Sequence, residues 1–154
     1  MWNLGRAACL VAALSLAGAA GADAAQAVAA AERHLAAREA AIVGELRSLL
    51  ALPNVAASEG DMRANAELLV TMLERRGVHA RVLETPGAPV AVFGERRVPG
   101  ATRTLLFYAH FDGQPVGPEA AWRSPPFEPV LRAGRLEDGA AVIPWADARH
   151  PLPD

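Results

Sequence analysis

The chain has 154 residues, 52% hydrophobic and 21% charged, a balance that excludes a disordered polyampholyte or a collagen-like repeat and leaves room for one domain at most. All 15 basic residues are Arg, and 17 acids bring the net charge to −2, so no basic surface points to nucleic acid or anionic lipid. Cys9 has no partner cysteine in the chain, which excludes an intrachain disulfide and a cysteine-based metal knuckle. Any metal falls to His, Asp and Glu.

The first residues read as an export signal. Arg6 supplies a positive start, residues 7–20 an apolar stretch, and Ala22-Asp23-Ala24 a small-x-small cleavage site. The apolar run of about 14 residues falls short of the roughly 20 a spanning helix needs. The expectation is an exported, periplasmic or secreted protein with residues 1–24 removed and no membrane anchor afterwards. A lipid anchor at Cys9 fails on position, because Arg6 stands where an apolar residue is wanted.

Residues 25–52 are Ala-rich, with Ile42, Leu46, Leu49 and Leu50 at helical spacing, and predict an amphipathic helix ending before Pro53. A loop follows to Gly60. Asp61 then serves as the expected cap of a second helix, whose stripe includes Leu69, Met72 and Leu73 and whose end is marked by Gly77. Both stripes read as core. Residues 78–82 alternate as a half-buried strand, 86–89 turn, and 90–93 form another strand. Arg96-Arg97 falls in a solvated turn.

Residues 104–109, Thr-Leu-Leu-Phe-Tyr-Ala, form a continuous apolar run that suits a central strand covered on both faces, and it leads directly into His110-Phe111-Asp112-Gly113. Ligands in open α/β sheets collect beyond the carboxyl ends of such strands. From 113 to 154 proline recurs eight times, which predicts a long irregular end. The fold class expected is α/β: helices on a mixed sheet, the front part of a domain.

The chain has no Gly-x-Ser-x-Gly elbow, no His-Glu-x-x-His, no Walker loop and no dinucleotide fingerprint. What remains is His110-x-Asp112. In an extended segment residues i and i+2 project to the same side, so Asp112 can reach the imidazole of His110. A metal-bound histidine must be neutral at the coordinating nitrogen, and a carboxylate on the other ring N–H fixes that tautomer. Alone the pattern is weak, since a hydrogen-bonded strand-end histidine has the same spacing. The other histidines read blandly: His34 on a solvated helix face, His79 on a strand, His150 in a loop. Trp122 and Phe127 either shape a pocket or pin a proline-rich loop.

The surroundings of the pair add more. The run Leu105-Leu106-Phe107-Tyr108-Ala109-His110-Phe111-Asp112-Gly113-Gln114-Pro115-Val116, then Trp122-Arg123-Ser124-Pro125-Pro126-Phe127-Glu128-Pro129, then Leu131-Arg132-Ala133-Gly134-Arg135-Leu136, resembles the zinc metallopeptidase family of carnosinase, aminoacylase, carboxypeptidase G and succinyl-diaminopimelate desuccinylase. Its flavour is that of the carnosinase-like dipeptidase branch. Upstream, Leu49-Leu50-Ala51-Leu52-Pro53-Asn54-Val55 and Arg81-Val82-Leu83-Glu84-Thr85 resemble the family's first helix end and second strand, so the resemblance covers roughly residues 40–136.

The resemblance implies that His110 ligates one zinc of a two-zinc site and that Asp112 is the catalytic-site carboxylate orienting it. It implies hydrolysis of an amide bond in a small peptide or acyl-amino acid by metal-activated water, with a glutamate shuttling the proton, and a homodimer in the full-length form. The family's bridging aspartate and Glu-Glu pair have no match here, because Glu137-Asp138-Gly139-Ala140-Ala141-Val142-Ile143-Pro144-Trp145 departs from that motif. The domain reading is therefore a signal at 1–24, the N-terminal portion of a catalytic domain at 25–136, and a Pro-rich insertion at 137–154, the whole being an N-terminal fragment inactive by itself. The alternatives are a degenerate non-catalytic remnant and an unrelated small α/β binding module.

Overall fold

A computed structural model describes residues 17–145, with side chains placed from residue 24 onward. The elements in order are α1 (Ala17–Leu50), α2 (Glu59–Glu74), β1 (His79–Leu83), β2 (Ala91–Glu95), β3 (Leu131–Arg132) and β4 (Val142–Ile143), with single 3-10 turns at Glu119–Ala121 and Leu136–Asp138. This is a partial α/β arrangement, as the sequence predicts. Most of the candidate leader and His150 lie outside the described residues.

Helix α1 begins eight residues earlier than periodicity suggests, because alanine propagates a helix without needing an apolar face. Among the described residues, no helix is long and apolar enough to cross a membrane. The apolar stripe of α1 does not become core: Ile42, Leu46 and Leu50 remain exposed and Leu49 is half-buried. Helix α1 is tied to its neighbours by polar contacts, with Glu45 pairing with Arg76 and the Arg47 guanidinium 4.8 Å from the Trp145 ring centroid.

The centre of the fold is α2 against a two-stranded hairpin. Met62, Asn65 and Ala66 are buried, one helical turn apart on a single face, while Leu69, Met72 and Leu73 are half-buried. The helix cap is Ser58, not Asp61: the Ser58 hydroxyl accepts the Asp61 N–H at 3.3 Å, and Asp61 sits in the first turn, where the helix dipole favours its charge. Gly77 closes the helix end at φ 70°, a left-handed conformation that glycine adopts without strain. β1 and β2 pair antiparallel in the register His79 to Glu95 through Leu83 to Ala91, within two residues of the predicted strands.

The expected central strand differs from the structure. Residues 104–109 form neither helix nor paired strand, and Leu105, Leu106, Phe107 and Tyr108 are exposed, Leu106 by 91%. Among the described residues the run pairs with neither two-stranded sheet, so the outer edges of β1 and β2 stay unpaired and its side chains gain no cover from a neighbouring strand. The Pro-rich end is more ordered than expected. β3 and β4 form a short antiparallel hairpin, registered Leu131 to Ile143, which bridges residues before and after position 136.

Candidate functional site

The site is built from two loops that lie far apart in sequence. Loop 53–56 follows α1, and segment 110–113 follows the unpaired apolar run. They meet in a parallel bridge between Val55 and Gly113: the Gly113 N–H donates to the Asn54 carbonyl at 2.7 Å, and the Ala56 N–H donates to the Gly113 carbonyl at 2.9 Å. The Asn54 side-chain amide adds a third bond, to the Phe111 carbonyl at 3.1 Å. Phe111 lies between His110 and Asp112, so this bond grips the backbone at the middle of the candidate pair.

Loop 53–56 is in turn held by α2. The Asn65 amide donates to the Pro53 carbonyl at 2.6 Å and to the Asp61 carbonyl at 2.9 Å. At 2% exposure Asn65 is the buried polar residue of the core, and its two bonds satisfy both amide hydrogens. Gly113 has no room for a side chain, since a Cβ there would stand 2.7 Å from Asn54 Oδ1.

His110 and Asp112 project to the same side, as i,i+2 spacing predicts. His110 Nδ1 lies 3.1 Å from the Asp112 backbone carbonyl and 3.3 Å from Asp112 Oδ1. Neither oxygen carries a hydrogen to give, so Nδ1 is the donor, and in the neutral imidazole this places the lone pair on Nε2. The side chains are open to solvent, 77% exposed for His110 and 47% for Asp112. A ligand can therefore reach Nε2.

The donor chemistry fits one corner of a zinc site: a neutral imidazole nitrogen with a carboxylate behind it. Among the described residues, no group of three or more His, Cys, Asp or Glu could hold a metal ion. The pair thus offers one ligand and its orienting group, and not a complete coordination set. His34 and His79 are both exposed and stand on α1 and β1, and neither joins the pair.

Trp122 and Phe127 part company. Trp122 staples its own loop, its indole N–H donating to the Val116 carbonyl at 2.7 Å. Phe127 lies at φ 62°, unfavourable for a bulky side chain, and lines an open cleft of about 490 Å³ together with Arg47, Ala51, Val130, Ile143 and Trp145. Neither His110 nor Asp112 lines that cleft. Elsewhere, the hydrogen bond from Arg63 to Glu84 holds the Arg63 guanidinium above its ordinary pKa, and both groups are exposed.

Sequence reasoning found the pair but missed Asn54 and Asn65, which connect it to the core. The available signal was the position of Asn54 immediately after Pro53, where a short amide side chain commonly bonds to backbone.

Comparison with known proteins gives a short match. A stretch of 38 residues, 24% of this chain, is 55% identical to succinyl-diaminopimelate desuccinylase of Azoarcus sp. (strain BH72), and a stretch of 36 residues, 23% of this chain, is 53% identical to the protein of the same name from Acidovorax ebreus (strain TPSY). The matched stretch spans about a tenth of the length of these relatives, 10% and 9%. The similarity is to a hydrolase family, over that stretch. No family model matches the chain, and no solved structure matches it.

Proposed function

We propose that this chain supplies one corner of the metal site of a zinc-dependent amide hydrolase, with His110 as a zinc ligand through Nε2 and Asp112 as the carboxylate that orients it. The observation that carries the proposal is the pair of oxygens from Asp112 on His110 Nδ1, which in the neutral imidazole leaves the lone pair on the solvent-accessible Nε2. The short similarity to desuccinylases supports a hydrolase setting for the chain.

A zinc ion held there supplies Lewis-acid chemistry, polarising an amide carbonyl and activating water. The chain's own part is positional. Asp112 keeps the imidazole in one tautomer and one ring orientation, and the exposed face of His110 admits a small substrate. The remaining ligands and the proton-shuttling carboxylate come from outside the described residues. The substrate class is a small peptide or an N-acyl amino acid. The narrower carnosinase-like dipeptidase reading rests on the motif order from His110 to Leu136 and the desuccinylase reading on the relatives. Export to the periplasm or beyond, and a homodimer of the full-length protein, complete the proposal.

The test is made on the polypeptide as its own gene produces it, assayed against dipeptides and N-succinyl amino acids. Activity that disappears with a chelator, returns with Zn²⁺ and falls by on the order of 10²-fold or more in His110→Ala supports the reading. A chelator-insensitive activity, or full activity in His110→Ala, overturns it.

A further inference from the structure

The structure assigns Asn54 a role beyond loop geometry: we infer that it is a positioning residue for the His110–Asp112 pair, acting through the Phe111 carbonyl and itself set in place by Asn65. The inference rests on the zinc-corner reading for its purpose, but not for its geometry.

The chain of contacts is continuous. Asn65, buried on α2, donates to the Pro53 carbonyl. The next residue, Asn54, meets the site segment three times: its side-chain amide donates to the Phe111 carbonyl, its carbonyl accepts from the Gly113 N–H, and its Oδ1 fills the space a Gly113 side chain would need. The side chains of His110 and Asp112 are 77% and 47% exposed, and the polar contact described for them is the one to each other. Their orientation therefore depends on the backbone between them. Among the described residues, that backbone receives one side-chain hydrogen bond from another segment, the bond from Asn54 to Phe111, beside the main-chain bonds at Gly113.

A rotation of the Phe111–Asp112 peptide changes φ of Asp112 and so re-aims its side chain, whereas the Asp112 carbonyl lies in the next peptide, whose Gly113 N–H donates to the Asn54 carbonyl. The carboxylate and that Asp112 carbonyl are the acceptors on His110 Nδ1. Loss of the Asn54 bond thus loosens the carboxylate acceptor and lets the neutral imidazole exchange tautomers, which lowers the population that presents the Nε2 lone pair outward.

The experiment is ¹⁵N NMR of the imidazoles in the full chain at about pH 8.5, where free imidazole is neutral. The wild type, Asn54→Ala, Asn54→Asp and Gly113→Ala are compared, with and without Zn²⁺. In the wild type, His110 is expected in the Nδ1–H form, with Zn²⁺ perturbing its Nε2 resonance. Asn54→Ala and Asn54→Asp should both mix the tautomers at His110, and weaken its response to Zn²⁺ by about tenfold, the lower end of what supporting groups contribute to metal affinity. Asn54→Asp is the discriminating variant: it has the same shape but presents a carboxylate to a carbonyl, so a role in filling space would leave it like wild type. Gly113→Ala, which displaces Asn54 Oδ1 without removing the amide, should give an intermediate shift and serves if the Asn54 variants do not fold.

A wild-type-like His110 spectrum in both Asn54→Asp and Gly113→Ala overturns the inference. A wild-type His110 in the Nδ1–H form that ignores Zn²⁺ instead defeats the zinc-corner reading and leaves the positioning role standing, since the tautomer readout needs no metal.

Discussion

The carboxamide of Asn54 donates to the backbone carbonyl of Phe111, 57 residues further along the chain, at 3.1 Å. It is the point where the end of the first helical segment meets the segment that carries His110 and Asp112. The local architecture of the candidate site is therefore set by a long-range contact.

Asn65 should be the most sensitive polar residue of the fold. Replacing it with Ala leaves the Pro53 carbonyl without its side-chain donor and opens a gap in the face shared with Met62 and Ala66. The expected cost is about 1–3 kcal/mol in the denaturant-unfolding free energy. A change below the scatter of the measurement would mean that water replaces the amide at no cost.

Ser58→Ala removes the acceptor for the Asp61 N–H at the start of α2 and should cost about 1 kcal/mol, with Ser58→Asp recovering most of it. Hydrogen exchange across the first turn of α2 is the readout. Slow exchange retained at Asp61 in the Ala variant would show that the cap does not govern that end.

Two glycines should respond differently to a methyl group. At Gly113 the added Cβ meets the hydrogen-bonded Asn54 side chain at 2.7 Å, and at Gly94 it meets Val78 Cγ1 and Leu73 Cδ1 at 2.9 and 3.3 Å. Gly113→Ala should perturb the chemical shifts of residues 110–113 and 54, while Gly94→Ala perturbs the hairpin and the Leu73 end of α2. Identical shift maps would contradict the packing around Asn54.

The bare run Leu105–Tyr108 should make the isolated chain self-associate and bind apolar dyes. Leu106→Glu places a charge on a side chain that is 91% exposed, so it should reduce association while leaving unfolding free energy within about 0.5 kcal/mol. A large loss of stability would show that Leu106 is packed in solution.

Much of the local structure is legible in the sequence because local physics sets it. The alternation of residues 78–82 and the glycine at 77 place a strand and a helix end with short-range sterics alone, and both appear where expected. The i,i+2 spacing of His110 and Asp112 likewise puts both groups on one side. The cap of α2 is less legible: the expected residue is Asp61, and the hydrogen bond from its N–H shows the cap to be Ser58, three residues earlier. What the sequence does not disclose is pairing. An apolar run such as 104–109 states that it wants cover and not what covers it, and the stripe of Ile42, Leu46 and Leu50 has the same ambiguity. The grip of Asn54 on Phe111 is equally invisible, since an asparagine after a proline looks like any turn residue until its distant partner is known.

The parallel bridge between Val55 and Gly113 has a consequence for the order of assembly. Helices and the β1–β2 hairpin form from neighbours in sequence, while this bridge must close a long loop first, and loop closure is the slow and entropically costly event in folding. The chain therefore acquires its secondary structure before it acquires its site. In a refolding experiment, the far-ultraviolet signal should recover ahead of any His110-specific probe, so that for an interval the protein is helical, hairpinned and chemically mute.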